Sequence, residues 1–245
     1  MTKQEVQQRV LQNGKPLPLD KFEWDEKTKT FSSNENDLVL DFAGISSCTF
    51  NTGWNCTFKT GGNCTFKTGW NCTLKTGWYC TFDTGNGCTF KTGDSCTFDT
   101  GWYCTFDTGG SCTLKTGGNC TFKTGGNCTF KTGGNCTFKT GWNCAFKTED
   151  GCTFDTGGNC TFDTGNGCTF DTGDGCTFKT GSECVVVRRG VYEIIETPEG
   201  KKIRLNEYGV KGYKVLVKKP KKVVLTMDEI AEKFGVPVGN LKIKK

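Results

Sequence analysis

The spacing of the cysteines is the feature that most constrains this chain. All 18 cysteines lie in one series that runs from Cys48 to Cys184 in steps of eight residues. Aligned on this period, residues 48–183 form 17 octads of the pattern C-T-F-(K/D)-T-G-x-x, and only Leu74 and Leu114 replace the Phe. A fixed period of this kind indicates a repeat architecture, in which each copy is one structural unit stacked on the next.

The composition of the octad favours a β-strand. Thr, Phe and Gly all oppose a helix, and eight residues is a poor helical period. In a strand, Cys, Phe and the second Thr point to one face, while the first Thr and the charged residue point to the other. We expect the Phe face to be buried. Each octad is therefore predicted to be a strand followed by a three-residue corner that opens at Gly, where we expect a positive φ angle.

A short strand with one apolar face is not stable alone, so we expect the octads to stack as a β-solenoid. Two octads per coil would give two sheets, and three would give a triangular coil. The order of Lys and Asp at the fourth position separates these alternatives at neither spacing. We favour two octads per coil, because two Phe-bearing sheets about 10 Å apart form a filled core.

The predicted fold class is all-β: a β-solenoid with an N-terminal cap and a small C-terminal α+β module. Residues 1–47 form the cap, residues 48–189 the octapeptide-repeat solenoid, and residues 190–245 the basic C-terminal module. The cap is predicted to contain a strand, a turn and a strand between Phe22 and Phe31, and Phe42 falls on the Phe positions of the octads. We expect the cap to cover the open end of the solenoid, because an uncapped edge would template aggregation.

The C-terminal module contains three further signals. Residues 191–196 and 201–206 alternate in polarity around residues 197–200 (TPEG), which predicts a hairpin. A strand is expected near residues 211–218. Thr226 and Glu229 form a capping box before an apolar segment, and Gly235 is the expected stop, so a helix is predicted between them.

The cysteines could be buried thiols, disulfides or metal ligands. The polar N-terminal sequence lacks the apolar core of a signal peptide, so we expect synthesis in the cytoplasm, where disulfides are rare. A spacing of eight residues is also far from that of metal sites. We therefore expect reduced, buried thiols that pack as small apolar groups, with no metal and no cofactor.

The chain contains no histidine, which excludes catalysis that depends on His. Asp155, Asp163 and Asp171 could imitate the carboxylate clusters of solenoid polysaccharide lyases and hydrolases. These carboxylates are generated by the repeat, however, and nothing in their surroundings would separate their pKa values into acid and base roles. We predict a protein that is not an enzyme and that acts as a structural or interaction component.

The outward-facing positions supply the candidate contact residues. Tryptophan occupies the first corner position after Gly five times, and lysine occupies five consecutive fourth positions; exposed Trp and blocks of one charge are typical of binding surfaces. The candidate contact surface consists of Trp54, Trp70, Trp78, Trp102, Trp142, Lys115, Lys123, Lys131, Lys139 and Lys147. The candidate contact for nucleic acid or another polyanion is the basic run Lys218, Lys219, Lys221 and Lys222.

The octad CTFKTG resembles uncharacterised repeat proteins of bacteriophages and large viruses, and the array resembles the β-solenoid class that includes pentapeptide-repeat, bactofilin and ice-binding proteins. This resemblance implies a spacer, fibre component or scaffold that self-associates or joins an assembly partner, with a virion as one expected location. Ice binding through the Thr rows is a lesser alternative, because a charged row flanks each Thr row. The sequence has no apolar run of about 18 residues, so we expect no membrane association.

Overall fold

The octads form two β-sheets. The computed structural model describes residues 1–188, 191, 193–207, 209–217 and 226–240. Within these residues there are two sheets of 13 strands each, and successive octads alternate between them. Each strand therefore pairs in parallel with strands 16 residues away, as Phe82 does with Phe66 and Phe98. The predicted β-solenoid with two octads per coil is confirmed.

The two sheets, named here sheet A and sheet B, contain strands from the array and from both flanks. Sheet A contains β1 (Val10–Gln12), β2 (Lys15–Pro16), β5 (Leu38–Phe42), β7 (Thr57–Thr60), β9 (Thr73–Lys75), β11 (Thr89–Lys91), β13 (Thr105–Asp107), β15 (Thr121–Lys123), β17 (Thr137–Thr140), β19 (Thr153–Thr156), β21 (Thr169–Thr172), β23 (Val185–Arg188) and β24 (Glu193–Glu196). Sheet B contains β3 (Glu23–Asp25), β4 (Thr30–Ser32), β6 (Thr49–Asn51), β8 (Thr65–Thr68), β10 (Thr81–Thr84), β12 (Thr97–Thr100), β14 (Thr113–Thr116), β16 (Thr129–Lys131), β18 (Ala145–Lys147), β20 (Thr161–Asp163), β22 (Thr177–Lys179), β25 (Lys202–Leu205) and β26 (Tyr213–Val215). The helices are α1 (Lys3–Gln7) and α2 (Met227–Phe234), with 3-10 turns at Leu19–Lys21 and Val238–Asn240.

The core between the sheets is a double column of Phe rings, and the predicted burial of the Phe face is confirmed. Within a column the rings stack in parallel: Phe122 and Phe138 have centroids 4.7 Å apart and planes 4° apart. Across the core the rings meet edge to face, as Phe130 and Phe138 do at 5.3 Å and 80°. Both geometries suit the aromatic quadrupole, so each ring adds contacts to both sheets.

Glycine occupies the sixth octad position for a reason other than the one predicted. The positive φ angles fall on the eighth position instead, for example at Asn63 (54°) and Tyr79 (55°). At the sixth position a Cβ atom on Gly125 would lie 2.7 Å from the nitrogen and 2.8 Å from the Cα of Gly110, one coil earlier. Glycine is therefore required there because the backbones of successive coils approach each other closely.

Two flanking segments of the N-terminal region differ in how well the sequence predicted them. The strand–turn–strand unit is confirmed as the antiparallel pair β3–β4. The predicted register of Phe42 is wrong, because Leu40 aligns with Phe58 and Phe42 aligns with Thr60. The connection from β5 to the first octad is two residues longer than a regular corner, which shifts the register. Phe42 is still buried and packs edge-on against Phe50 at 5.0 Å.

The predicted C-terminal hairpin is wrong, although both of its strands form. β24 pairs antiparallel with β23 in sheet A, whereas β25 pairs antiparallel with β22 in sheet B. The connection at residues 197–200 therefore crosses from one sheet to the other. Each strand buries its apolar side, with Ile195 in one and Ile203 in the other, on the end of the solenoid, where the last coil leaves an unpaired edge.

The remaining C-terminal predictions are confirmed. A strand, β26, forms within residues 211–218 and pairs with β25. Helix α2 begins at a capping box formed by Thr226 and Glu229 and ends at Gly235, which has a φ angle of 64°. Positive φ at the residue after a helix is the conformation that glycine adopts most readily.

Arg188 joins the strands at the C-terminal end of the solenoid and was not singled out from the sequence. Its side chain is only 2% exposed. The guanidinium donates to carboxylates of Asp174 at 2.9 Å and Glu193 at 3.2 Å. It also donates to the backbone carbonyls of Asn206 at 3.2 Å and Val210 at 3.0 Å. One buried cation therefore holds the last coil, β24 and the segment between β25 and β26 together.

Replacing Arg188 with Ala is expected to destabilise this end of the rod. The substitution leaves the carboxylate of Glu193 without its partner, and breaking a buried ion pair costs about 3–5 kcal/mol. Asp174 is 40% exposed, so solvent reduces the loss to about 2–3 kcal/mol. Chemical denaturation and amide exchange of β24 measure the effect. Arg204→Ala, on the exposed side of β25, is the control; equal losses at both positions would contradict the assigned role.

Deleting the octad of residues 120–127 is expected to leave a folded protein. Both sheets are built from the same octad and both corners have the same length, so each later strand moves to the opposite sheet with its Phe still inward. The C-terminal strands would rotate by half a turn about the rod axis. Circular dichroism should show a cooperative melt within a few degrees of the parent. Loss of cooperative melting would show that the two sheets are not interchangeable.

Candidate functional surfaces

The corner tryptophans lie along two opposite edges of the rod. Edge 1 is the row of corners that follow the strands of sheet B, and edge 2 is the row that follows those of sheet A. Trp54, Trp70 and Trp102 lie on edge 1, whereas Trp78 and Trp142 lie on edge 2. All five are exposed, by 48–70%. The structure therefore does not bring these candidate contact residues together on one surface.

Each indole leans over the corner glycine of the next coil. A Cβ atom on Gly85 would lie 2.6 Å from the Cδ1 of Trp70, and one on Gly117 would lie 2.6 Å from the Cδ1 of Trp102. No stacking between two of these indoles is present among the described residues. The glycines thus form a floor for one side of each indole while its other side faces solvent, where a partner can contact it.

The five consecutive lysines are divided between the two faces of the rod. Lys115, Lys131 and Lys147 are in sheet B, whereas Lys123 and Lys139 are in sheet A. Three of them form ion pairs with an aspartate one coil away: Lys115–Asp99 at 2.7 Å, Lys123–Asp107 at 3.6 Å and Lys139–Asp155 at 4.0 Å. All partners are exposed, so the pairs add little stability.

Lys131 and Lys147 are stacked on adjacent coils with like charges side by side. Within the part of the chain that the structure describes, no carboxylate lies within ion-pair distance of either ammonium. These two lysines are thus available to a partner. The basic run of Lys218, Lys219, Lys221 and Lys222 lies outside the described residues.

The thiols form two columns inside the core, and all 18 are free and 0–2% exposed. The backbone N–H of Cys56 donates to the Sγ of Cys72 at 3.4 Å, and the thiol of Cys88 donates to the carbonyl of Asn86 at 3.6 Å. Hydrogen bonding to neighbouring thiols and burial raise the pKa of Cys88 and Cys136. These thiols are therefore protonated and inaccessible at neutral pH.

Metal ligands and membrane spans were examined over the same described ranges. No group of three or more His, Cys, Asp or Glu side chains there is arranged to hold a metal ion. Neither described helix has the length and apolar character needed to cross a bilayer.

One octad, Cys144–Gly151, departs from the repeat at two positions, where it carries Ala145 and Glu149. Corner N–H groups elsewhere donate to the corner carbonyl one coil earlier, as Gly141 does to Gly125 at 3.2 Å; over the described residues this series is interrupted at Glu149. An open groove of about 530 Å³ lies here on edge 1, lined by Trp102, Asn135, Lys147, Glu149, Asp150 and Asp163 among others. It combines an indole with both signs of charge.

The outward Thr residues form a single row on each sheet, as in the register of Thr65, Thr81 and Thr97. The fourth-position residues form a charged row directly beside it, and Ala145 interrupts the row in sheet B. Each face thus offers one Thr row rather than a flat array. Ice binding stays a prediction, with this narrow row as its only geometric basis.

Comparisons of the chain with protein families, with curated proteins and with solved structures found no match. The β-solenoid architecture therefore stands on the chain's own repeat and on the strand pairing described above.

Proposed function

We propose that this protein is a non-enzymatic structural or interaction component, a rigid capped β-solenoid that acts as a spacer, fibre component or scaffold. The observation that supports this proposal is the continuous core. Every octad buries its Cys and its Phe or Leu, so the reactive thiols are used for packing, while the exposed residues repeat along the rod. Repetition of exposed groups suits display and association along a length.

The geometry suits a spacer because the length depends on the number of coils. Coils rise by about 4.8 Å each, so 13 strands per sheet correspond to a rod of about 60 Å. Each coil is joined to the next by backbone hydrogen bonds in both sheets and by stacked rings. Bending would have to open these contacts on one side, which makes the rod stiff. The assembly that it serves would be a virion or another ordered particle.

The distance between the two ends tests the spacer proposal. Spin labels on non-canonical residues at positions 20 and 199, both exposed, avoid the native thiols. Pulsed electron resonance should give a narrow distance distribution. Deleting residues 120–135, which is one coil, should shorten the distance by about 4.8 Å, and duplicating them should lengthen it equally. A broad distribution, or a distance that does not follow the coil number, would overturn the proposal.

Binding of nucleic acid or another polyanion is the second candidate. Lys59, Lys75 and Lys91 are exposed and stacked on three successive coils of sheet A, which supports it. Retention on DNA should fall steeply with salt, and Lys75→Ala should reduce the slope of log affinity against log salt by about one. Asp83→Ala in sheet B is the control. Retention that does not depend on salt would exclude this function.

A further inference from the structure

The two ends of the rod are stepped in opposite directions. At the N-terminal end, sheet A carries two strands beyond the first coil (β1 and β2), and sheet B carries one (β3). At the C-terminal end, sheet A carries one strand beyond the last coil (β24), and sheet B carries two (β25 and β26). Among the described residues, β2, β3, β24 and β26 are the outermost strands. A step at one end therefore matches the step at the other.

We propose that copies of this chain join head to tail through these edges and form a filament. When the C-terminal end of one copy meets the N-terminal end of the next, three strands would separate the coils in each sheet, so both sheets would continue without a gap. This inference rests on the proposed structural function and names its partner, a second copy. The arrangement is heterologous and does not close, so it extends into a filament rather than a dimer.

The strand directions agree with this arrangement. β24 runs antiparallel to the array strand β23, whereas β2 runs parallel to the array strand β5, because both pairings of β1 are antiparallel. β24 of one copy would thus meet β2 of the next as an antiparallel pair. In sheet B, β26 runs parallel to the array and β3 antiparallel to it, so they also meet antiparallel. Unpaired edges of this kind pair readily with another chain.

In sheet B the junction also aligns the apolar column. Val215 aligns with Ile203 and through it with Phe178, whereas Trp24 aligns with Phe31 and through it with Phe50. Both residues therefore occupy the Phe column at opposite ends of the rod. Val215 is 46% exposed because no further strand covers it. Pairing with β3 would cover this side chain.

Sheet A aligns in the same way. Ile195 aligns with Val186, which continues the Phe column at the C-terminal end. Leu17 follows β2 and donates its N–H to the carbonyl of Val10 at 2.9 Å, and Val10 aligns with Leu40 in that column. Ile195 and Leu17 would therefore meet across the second junction.

The charges at the edges favour head-to-tail contact over contact between like ends. Lys214 aligns through Arg204 with the second octad position, and Asp25 occupies the same position at the other end, so these exposed side chains would face each other. In sheet A, the exposed Glu196 would meet Pro16 beside the exposed Lys15. Two C-terminal ends would instead oppose Lys214 to Lys214. Such repulsion selects one orientation.

Sedimentation velocity of the full chain at rising concentration, in low and high salt, tests the filament. Association should increase with concentration, weaken in high salt, and give particles in electron micrographs that grow in length at constant width. Lys214→Glu and Glu196→Lys should each weaken association about tenfold, because one attractive contact becomes repulsive. Lys131→Glu, on the face of the array, makes the same charge change as Lys214→Glu and should leave association unchanged.

A charge exchange makes the test specific to the two ends. Adding Lys15→Glu to Glu196→Lys should restore association, since the attractive pair is re-formed in reverse. Loss of association with Lys131→Glu equal to that with Lys214→Glu, growth that stops at dimers, or failure of the exchange would overturn the proposal. The spin-label distance is measured on the single rod. A stiff monomer that scales with coil number would therefore leave the spacer function standing even if the filament fails.

Discussion

Raising the pH from 7 to 10 is expected to unfold this protein. Hydrogen bonding to a neighbouring thiol and burial raise the pKa of ten core thiols from an ordinary value of 9.0 to beyond the alkaline range or towards it. The ten residues are Cys48, Cys56, Cys80, Cys88, Cys96, Cys120, Cys128, Cys136, Cys160 and Cys168. In the unfolded chain the same thiols ionise freely near pH 9, so alkali favours the unfolded state.

The sign and the size of this effect follow from proton binding. The folded state keeps protons that the unfolded state releases, so the contribution of each thiol to stability is fully present below pH 9 and is lost as the pH rises above it. One thiol loses about 1.4 kcal/mol at pH 10, and ten lose about 14 kcal/mol. Domains of this kind are stable by only about 5–15 kcal/mol. The transition is therefore expected between pH 9 and pH 10 and should be steep.

Far-ultraviolet circular dichroism against pH, in the presence of reductant, measures the transition, and thiolate absorbance should rise in the same pH range. Returning the sample to pH 7 should restore the spectrum. The double variant Cys88→Ala/Cys136→Ala should release about two fewer protons on unfolding, because two of the protonated groups are removed. A protein that remains folded at pH 11 with its thiols ionised would show that the core tolerates thiolates and would contradict this prediction.

Replacing Phe130 with Ala is expected to cost about 3–5 kcal/mol of unfolding free energy, because it removes a buried ring and leaves a cavity. Phe130 is 1% exposed, stacks on Phe146 at 4.8 Å and meets Phe122 and Phe138 edge to face. The neighbouring Lys131 points to solvent on the same strand. Lys131→Ala should change stability by less than about 0.5 kcal/mol.

Urea denaturation compares the two variants, which differ only in the face of the sheet that they alter. Equal losses at positions 130 and 131 would mean that the core does not depend on the Phe column. A large loss at Lys131 alone would mean that the charged rows hold the rod together.

The direction of each side chain in the array could be read from the sequence because strand alternation is a local property. The octad therefore predicts that Cys and Phe point inward and that Thr and Lys or Asp point outward, and residues 129–131 follow this pattern. The helix at the C-terminal end could also be located, since the capping box of Thr226 and the stop at Gly235 are set within a few residues.

The reasons for individual residues were harder to predict when the neighbour lies in another coil. Glycine at the sixth position was expected to supply a positive φ angle, but it is required by contact with a backbone 15 residues earlier, as at Gly125 and Gly110. The pairing of β24 and β25 with different sheets depends on the edges that the last coil leaves open. Arg188 had no signal in the sequence, because its partners Asp174 and Glu193 meet only when that coil forms.

By itself, the sequence determined that this chain is a stack of identical strands with a buried Phe face, because an eight-residue period constrains every copy in the same local way. Only the tertiary structure decided which copies become neighbours. With 16 residues per coil, Trp54 and Trp78 lie on different edges, Lys115 and Lys123 lie on different faces, and the two ends are stepped in opposite directions. These placements depend on how many strands complete one turn around the core, which is a property of packing between strands rather than of any one octad.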